Sequence, residues 1–164
     1  MNADTAQLMA RYNRWMNDRV YATCARLDDS ERKADRGAFF GSIHGTLNHL
    51  LLTDRIWLGR FTQVPYPVAS LAEEVCADFA VLRQERQNTD DAIDAWAGQL
   101  DDAALATPVR FVSAGDKTIR HFPLWLAVTH VFNHQAHHRG QITTLLSQTG
   151  LDMGVTDLIH LPDI

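Results

Sequence analysis

The sequence predicts an all-α fold, a four-helix bundle with a small β-hairpin inserted between the third and fourth helices. Three observations predict it. Apolar residues recur at the three- and four-residue steps of a helix face through four long segments. Prolines, glycines and polar runs punctuate the chain between those segments. One stretch, Val109 to Phe122, abandons the helical period and is enriched in β-branched and aromatic residues. Four helices of roughly 20 to 28 residues, joined by one long connection, fit a bundle forming a single domain over residues 1–164.

Helix one is expected from Thr5 to about Leu27, with Leu8, Tyr12, Trp15, Met16, Val20 and Cys24 on one face and Asp4 or Thr5 as its cap. The run Asp28-Asp29-Ser30-Glu31-Arg32-Lys33 reads as a solvated connection. Helix two begins at Ser42 and carries Ile43, Leu47, Leu50, Leu51, Trp57, Leu58 and Phe61. Val64-Pro65-Tyr66-Pro67 ends it, because each proline disfavours helix in the residue before it. Helix three opens at Ser70-Leu71-Ala72-Glu73, which has the pattern of a capping box. Leu71, Val75, Phe79, Leu82, Ile93 and Trp96 follow on one face, with an interruption expected at Thr89-Asp90-Asp91. The hairpin turns at Ala114-Gly115-Asp116, and Pro123 suits the first turn of helix four. That helix runs to about Thr149, where Gly150 supplies a left-handed stop, and the tail to Ile164 is irregular.

Composition removes several classes of function. Hydrophobic residues are 46% and charged residues 21%, which excludes a disordered chain or a fibre. The net charge of −5 argues against nucleic acid as a partner, since binding phosphates calls for a basic excess. Cys24 and Cys76 lie far apart and read as buried small hydrophobes of a reducing cytoplasm. The N-terminus shows no secretory pattern, and no apolar run approaches the length of a membrane span. The expected setting is therefore cytoplasmic, with no membrane partner.

Histidine is the unusual residue: four of the eight lie between His130 and His138. Residues four apart on a helix are neighbours, so His130/His134 and His134/His138 are both possible chelating pairs. With about 100° of rotation per residue, His138 falls in the sector of Ala127, Val131, Ile142 and Leu145, whereas His130 and His137 fall on its outer side. His134 and His138 thus point at least partly into the bundle. Two inward imidazoles without partners would cost on the order of 1 to 3 kcal/mol each, and a divalent metal would satisfy both. A third ligand should come from another helix, where His44 and His49 are both available. Helix two is apolar nearly all round, so periodicity does not choose between them.

Other metal and nucleophile motifs fail by residue type. Gln135 stands where a His-Glu-x-x-His protease carries its base, and an amide cannot serve as one. The chain has no Glu-x-x-His pair, Gly-x-Ser-x-Gly elbow, phosphate-binding glycine loop or dinucleotide fingerprint. The pairs Glu73-Glu74 and Asp101-Asp102 read as solvated faces.

Three motifs together carry a resemblance over nearly the whole chain. They are Tyr12-Asn13-Arg14-Trp15-Met16-Asn17 in helix one, Ser42-Ile-His-Gly-Thr-Leu-Asn-His49-Leu with Asp54-Arg55-Ile56-Trp57-Leu58 in helix two, and Asn133-His134-Gln-Ala-His-His138-Arg139-Gly140-Gln141 in helix four. In these the chain resembles the DinB-like (damage-inducible) proteins, related to the YfiT-type thiol transferases. The resemblance implies a four-helix bundle that holds a divalent metal through three histidines, His49, His134 and His138; imidazole chemistry makes zinc or nickel the expected ion, with the native metal left open. The resemblance implies homodimers as well, and a metal-dependent transferase using a low-molecular-weight thiol on a small electrophilic substrate. A metal-dependent hydrolase and a non-catalytic metal-binding stress protein are the rival expectations. His137, Asn17, Arg139 and Asp54 are the acid/base candidates. Three neutral ligands leave an ion its full charge and an open position, the arrangement of a catalytic site.

Overall fold

The computed structural model describes residues 1–113 and 116–164. These residues are mostly helical: six α-helices and one two-stranded antiparallel sheet. The four long helices are α1 (Ala3–Cys24), α3 (Ile43–Thr62), α4 (Phe79–Ala97) and α6 (Leu124–Gln148). Helix α1 packs on α4 and α6, and α3 packs on the same two. The short helices are α2 (Asp29–Lys33) and α5 (Asp102–Ala106), and the strands are β1 (Pro108–Val112) and β2 (Ile119–Pro123). No helix among the described residues is long and apolar enough to cross a membrane.

Several boundaries differ from the sequence reading, each for a local reason. Helix α1 is capped by Asn2, not by Asp4 or Thr5: the Asn2 side chain accepts from the Thr5 backbone N–H at 2.9 Å. The run from Asp28 to Lys33 is a helical turn, with Asp28 and Glu31 forming a reciprocal capping box. Arg32 folds back from it, donates to the Cys24 carbonyl at 3.2 Å and to that of Leu27, and lies over the Phe79 ring. The third long helix starts at Phe79, capped by Asp78, rather than at Ser70. Ser70 and Glu73 do cap a turn, accepting from the Ala72 and Ala69 N–H groups, but the chain beyond it does not coil. Instead it lies against α3, where His44, Asn48 and His49 occupy the carbonyls of Leu71 and Cys76. No interruption occurs at Thr89-Asp90-Asp91, because Asp90 turns inward onto Arg86 within one continuous helix.

The hairpin forms as expected, with Val109 opposite Phe122 and Val112 opposite Ile119. Of its predicted turn, Ala114 and Gly115 lie outside the described residues. Pro123 ends β2 and caps α6 instead of entering its first turn. Gly150, at φ +80°, supplies the expected left-handed stop to α6, where a side chain would be strained. The irregular tail contains one 3₁₀ turn, Leu158–His160, and is tied to α1 by Tyr12, whose hydroxyl donates to the Thr156 carbonyl at 2.6 Å.

The core has two apolar clusters. One gathers Val20, Tyr21 and Cys24 with Leu47, Leu51, Leu82, Ile142 and Leu146. The other gathers Ala6, Ala10, Ile93, Ala97, Val128 and Phe132. On each of α1, α4 and α6, polar residues fall between the two in sequence: Asn13 and Asn17, Arg86 and Asp90, Gln135 and Arg139. Asp54 of α3 joins them, and each of these seven is 3% exposed or less. Arg86 bridges Asp54 at 2.7 Å and Asp90 at 2.9 Å. Asn17 donates to Asp90 at 3.0 Å, and Arg139 donates to Asn13 and, at 3.2 Å, to Gln135.

Candidate metal centre

Helix α3 brings His49, and helix α6 brings His134 and His138, to one point on the edge of the core. The His134 Nε2 lies 3.2 Å from His49 Nε2 and 3.1 Å from His138 Nε2. All three ligand atoms lie within 4.8 Å of one another. Nitrogens bound at 2.0–2.1 Å to one ion stand about 3.3 Å apart in a tetrahedral arrangement and about 2.9 Å apart in an octahedral one. The two separations from His134 fall between these values, and the third pair lies within 4.8 Å.

The hydrogen bonds assign the tautomers. His49 Nδ1 stands 2.9 Å from the Leu71 carbonyl, which can only accept, so the ring proton is on Nδ1 and Nε2 carries a lone pair. His138 Nδ1 stands 2.8 Å from Gln141 Oε1. An amide oxygen can only accept, so His138 Nδ1 donates to it and His138 Nε2 is left bare as well, while the Gln141 amide nitrogen faces His137 Nε2 at 3.3 Å. At most one proton, on His134, can therefore stand among three nitrogens that face each other. A cation satisfies all three lone pairs at once, so the donor set fits a divalent metal. The three histidines could hold such an ion.

Electrostatics agree with that fit. Burial lowers the pKa of His49 and of His138. His134 is held down at about 3, first by burial and then by the neighbouring imidazoles. Neutral rings are the form that ligates a metal. Phe40 roofs the site: its ring stacks on His49 with centroids 3.8 Å apart and planes 20° apart. Gly45 permits this roof, since a Cβ there would meet the Phe40 carbonyl oxygen at 2.2 Å.

The remaining sequence candidates separate cleanly. His44 is buried and faces the Cys76 carbonyl at 2.9 Å and Glu74 at 3.3 Å, away from the triad. His130 is exposed, against Trp57, with its ring 6.0 Å from that of His134. Asn17, Asp54 and Arg139 belong to the buried polar layer and bond to one another's partners there. His137 is exposed and accepts from Gln141. Both cysteines are buried and free, and burial pushes the Cys24 thiol up to about 12, which removes it as a nucleophile. Three elements of the site escaped the sequence reading. The Leu71 carbonyl and Phe40 sit on loops whose paths no periodicity encodes. Gln141, three residues after His138 on the same helix face, was detectable by spacing.

Comparison with known proteins agrees with this architecture. A model of the DinB family matches residues 1–164. A crystal structure of a DinB-like protein from Bacillus cereus ATCC 10987 superposes with a TM-score of 0.64, covering 85% of this chain and 89% of that one at 19% sequence identity. At that identity the likeness is one of fold. No curated protein matches the sequence.

Proposed function

The chain belongs to the DinB family, and from that premise we propose that it is a divalent-metal-dependent enzyme, a transferase that uses a low-molecular-weight thiol on a small electrophile. The observation that carries the reading is the His49–His134–His138 triangle, in which two Nε2 lone pairs are fixed inward by hydrogen bonds on the far side of their rings. In this reading the four long helices are one bundle and one domain. Zinc or nickel occupies the triad, because neutral imidazole suits both.

An ion held by three neutral ligands lowers the pKa of a thiol or water that joins it. The chain's own residues set the stage for that chemistry. The Leu71 carbonyl and Gln141 hold the rings of His49 and His138 in the ligating tautomer. Phe40 covers one face of His49 and excludes water from it. His137 is the nearest exposed imidazole on α6 and is positioned by Gln141. The homodimer, the small-molecule substrate and the cytoplasmic setting belong to the same proposal.

The test begins with elemental analysis of untagged protein, followed by assays on panels of small electrophiles with and without added thiol. A stoichiometric metal and thiol-dependent turnover are expected. Turnover of esters or amides without thiol would assign a hydrolase instead. Metal without turnover in either condition would leave a metal-binding protein.

A further inference from the structure

A cavity of about 370 Å³ lies against α3 and α6, the two helices that carry the triad, and is lined by neighbours of the three histidines rather than by the histidines themselves. Thr53, one turn beyond His49 on α3, lines it, as do Leu71, whose carbonyl holds His49, and His130, one turn before His134 on α6. Trp57, Phe111 and Phe122 supply aromatic walls, and Arg60 lines it as well. A second cavity of about 630 Å³ continues past Arg60 toward Arg110 and Lys117. Among the described residues no carboxylate lines either space, although the whole chain carries −5.

Arg60 is the informative residue. Its guanidinium lies 4.4 Å from the Trp57 ring centroid and 4.1 Å from that of Phe111. It is half-buried, yet among the described residues it forms no ion pair or side-chain hydrogen bond. The other buried or half-buried arginines of α3 and α4 differ: Arg55 pairs with Glu85, and Arg86 with Asp54 and Asp90. Arg120, which also lines the first cavity, is paired with Asp116. Burying a cation without a counter-charge costs free energy that a bound anion returns. With two rings against the guanidinium, its N–H edge is what remains for an acceptor, and a planar carboxylate matches that edge bidentately.

Arg60 follows His49 by eleven residues, which at about 100° each returns it to nearly the same helix face. The offset is about 16 Å along the axis, and side-chain reach leaves roughly 10 to 15 Å from the guanidinium to the Nε2 triangle. We propose that Arg60 binds the carboxylate of an elongated substrate whose apolar midsection lies on Trp57 and Phe111 and whose reacting end reaches the His49–His134–His138 triad. This inference rests on the metal-enzyme reading for the reacting end only; the carboxylate site stands on Arg60 and its cavity.

The test uses the full-length chain and 6-phenylhexanoate as the probe, against the neutral 6-phenylhexanamide and a phosphonate of the same length. Calorimetry gives affinity, and the Trp57 indole N–H resonance reports location. The carboxylate is expected to bind at least tenfold more tightly than the amide and to shift the Trp57 signal. Arg60→Gln should remove the preference for the acid over the amide. Arg60→Lys, which keeps the charge but loses the planar fork, should reduce it several-fold and serves if the Gln variant fails to fold. Equal affinity for acid and amide, tighter binding of the phosphonate, or an undiminished preference in Arg60→Gln would each overturn the proposal. Zinc titration of the same samples separates the two readings. Failure to bind zinc removes the metal enzyme, whereas zinc binding without carboxylate preference removes only the role of Arg60.

Discussion

Two polar clusters are buried among the same helices, and they are built on opposite plans. The layer of Asn13, Asn17, Asp54, Arg86, Asp90, Gln135 and Arg139 is closed. It holds two carboxylates and two guanidiniums, and its amides fill the space between them. The triad of His49, His134 and His138 is open. It brings three acceptor nitrogens together around at most one proton. The closed cluster balances its charges from within, although Gln135 Nε2 and Arg86 Nη2 make no hydrogen bond among the described residues, and its members come from all four long helices. The open one gathers three nitrogens that could hold a cation, which is what marks it as a candidate site.

Breaking the closed cluster should have the largest effect on folding. Arg86→Met leaves Asp54 and Asp90 buried without their shared cation. Losing one partner of a buried ion pair costs about 3 to 5 kcal/mol, to be read from the urea unfolding midpoint. A loss under 1 kcal/mol would mean that the layer does not organise the core. Breaking the open cluster should cost the metal-free chain little, because both apolar clusters survive. His138→Ala should abolish zinc binding and keep the helical circular dichroism. It should also lose the stabilisation of about 2.7 kcal/mol that wild type gains when free zinc is one hundred times its Kd. His130→Ala is the control and should retain zinc; the reverse ranking would show that the wrong pair on α6 was chosen.

The two clusters were unequally legible in the sequence. Rotation around the fourth long helix placed His134 and His138 inward because Ala127, Val131 and Ile142 mark the core side so plainly. It could not choose between His44 and His49, since α3 is buried on most of its circumference. The resemblance to the DinB-like proteins chose His49, and that is the histidine of α3 whose ligand atom lies within 4.8 Å of those of His134 and His138. The closed layer was missed altogether. A charged residue on a helix reads as solvent-facing, and Asp54 and Asp90 are hidden only because Arg86 lies between them. The start of α4 was misread for a related reason. Ser70 and Glu73 satisfy a cap whether or not a helix follows, and side chains of α3 had taken the carbonyls that would have continued it.

The plans also differ in how they answer acid. Burial, outweighing Arg86, raises Asp90 to about 6, so the folded chain takes up this proton before the unfolded chain does. Its contribution to stability therefore grows as pH falls through about 6 toward the ordinary carboxylate range and is lost as pH rises again. His134, held at about 3, works the other way. Its contribution is whole above pH 6.5 and is lost as pH falls toward 3. Because the slopes oppose, the contributions of these two groups largely cancel in the metal-free wild type between pH 4 and 6. His134→Ala should tilt that profile toward stabilisation by acid, and Asp90→Asn should tilt it toward destabilisation. Urea titrations across the range would read both, and parallel profiles would show that the clusters do not titrate as assigned.

The smallest expected effect is also the most discriminating, because it replaces neither a ligand nor a core residue. Gln141 meets the triad only through His138 Nδ1–H. Gln141→Ala leaves all three ligand nitrogens in place but frees the His138 ring to rotate and to carry its proton on Nε2, where it would block the ion. Loss of such a partner weakens metal affinity by about 10- to 100-fold, and tenfold is about 1.4 kcal/mol. Glutamate at the same position accepts the same N–H, so Gln141→Glu should recover most of the affinity in a competitive zinc titration. If alanine and glutamate behaved alike, the orientation of His138 would come from packing against Phe40 and His49. The open cluster would then owe its shape to the same apolar contacts that hold the rest of the helices.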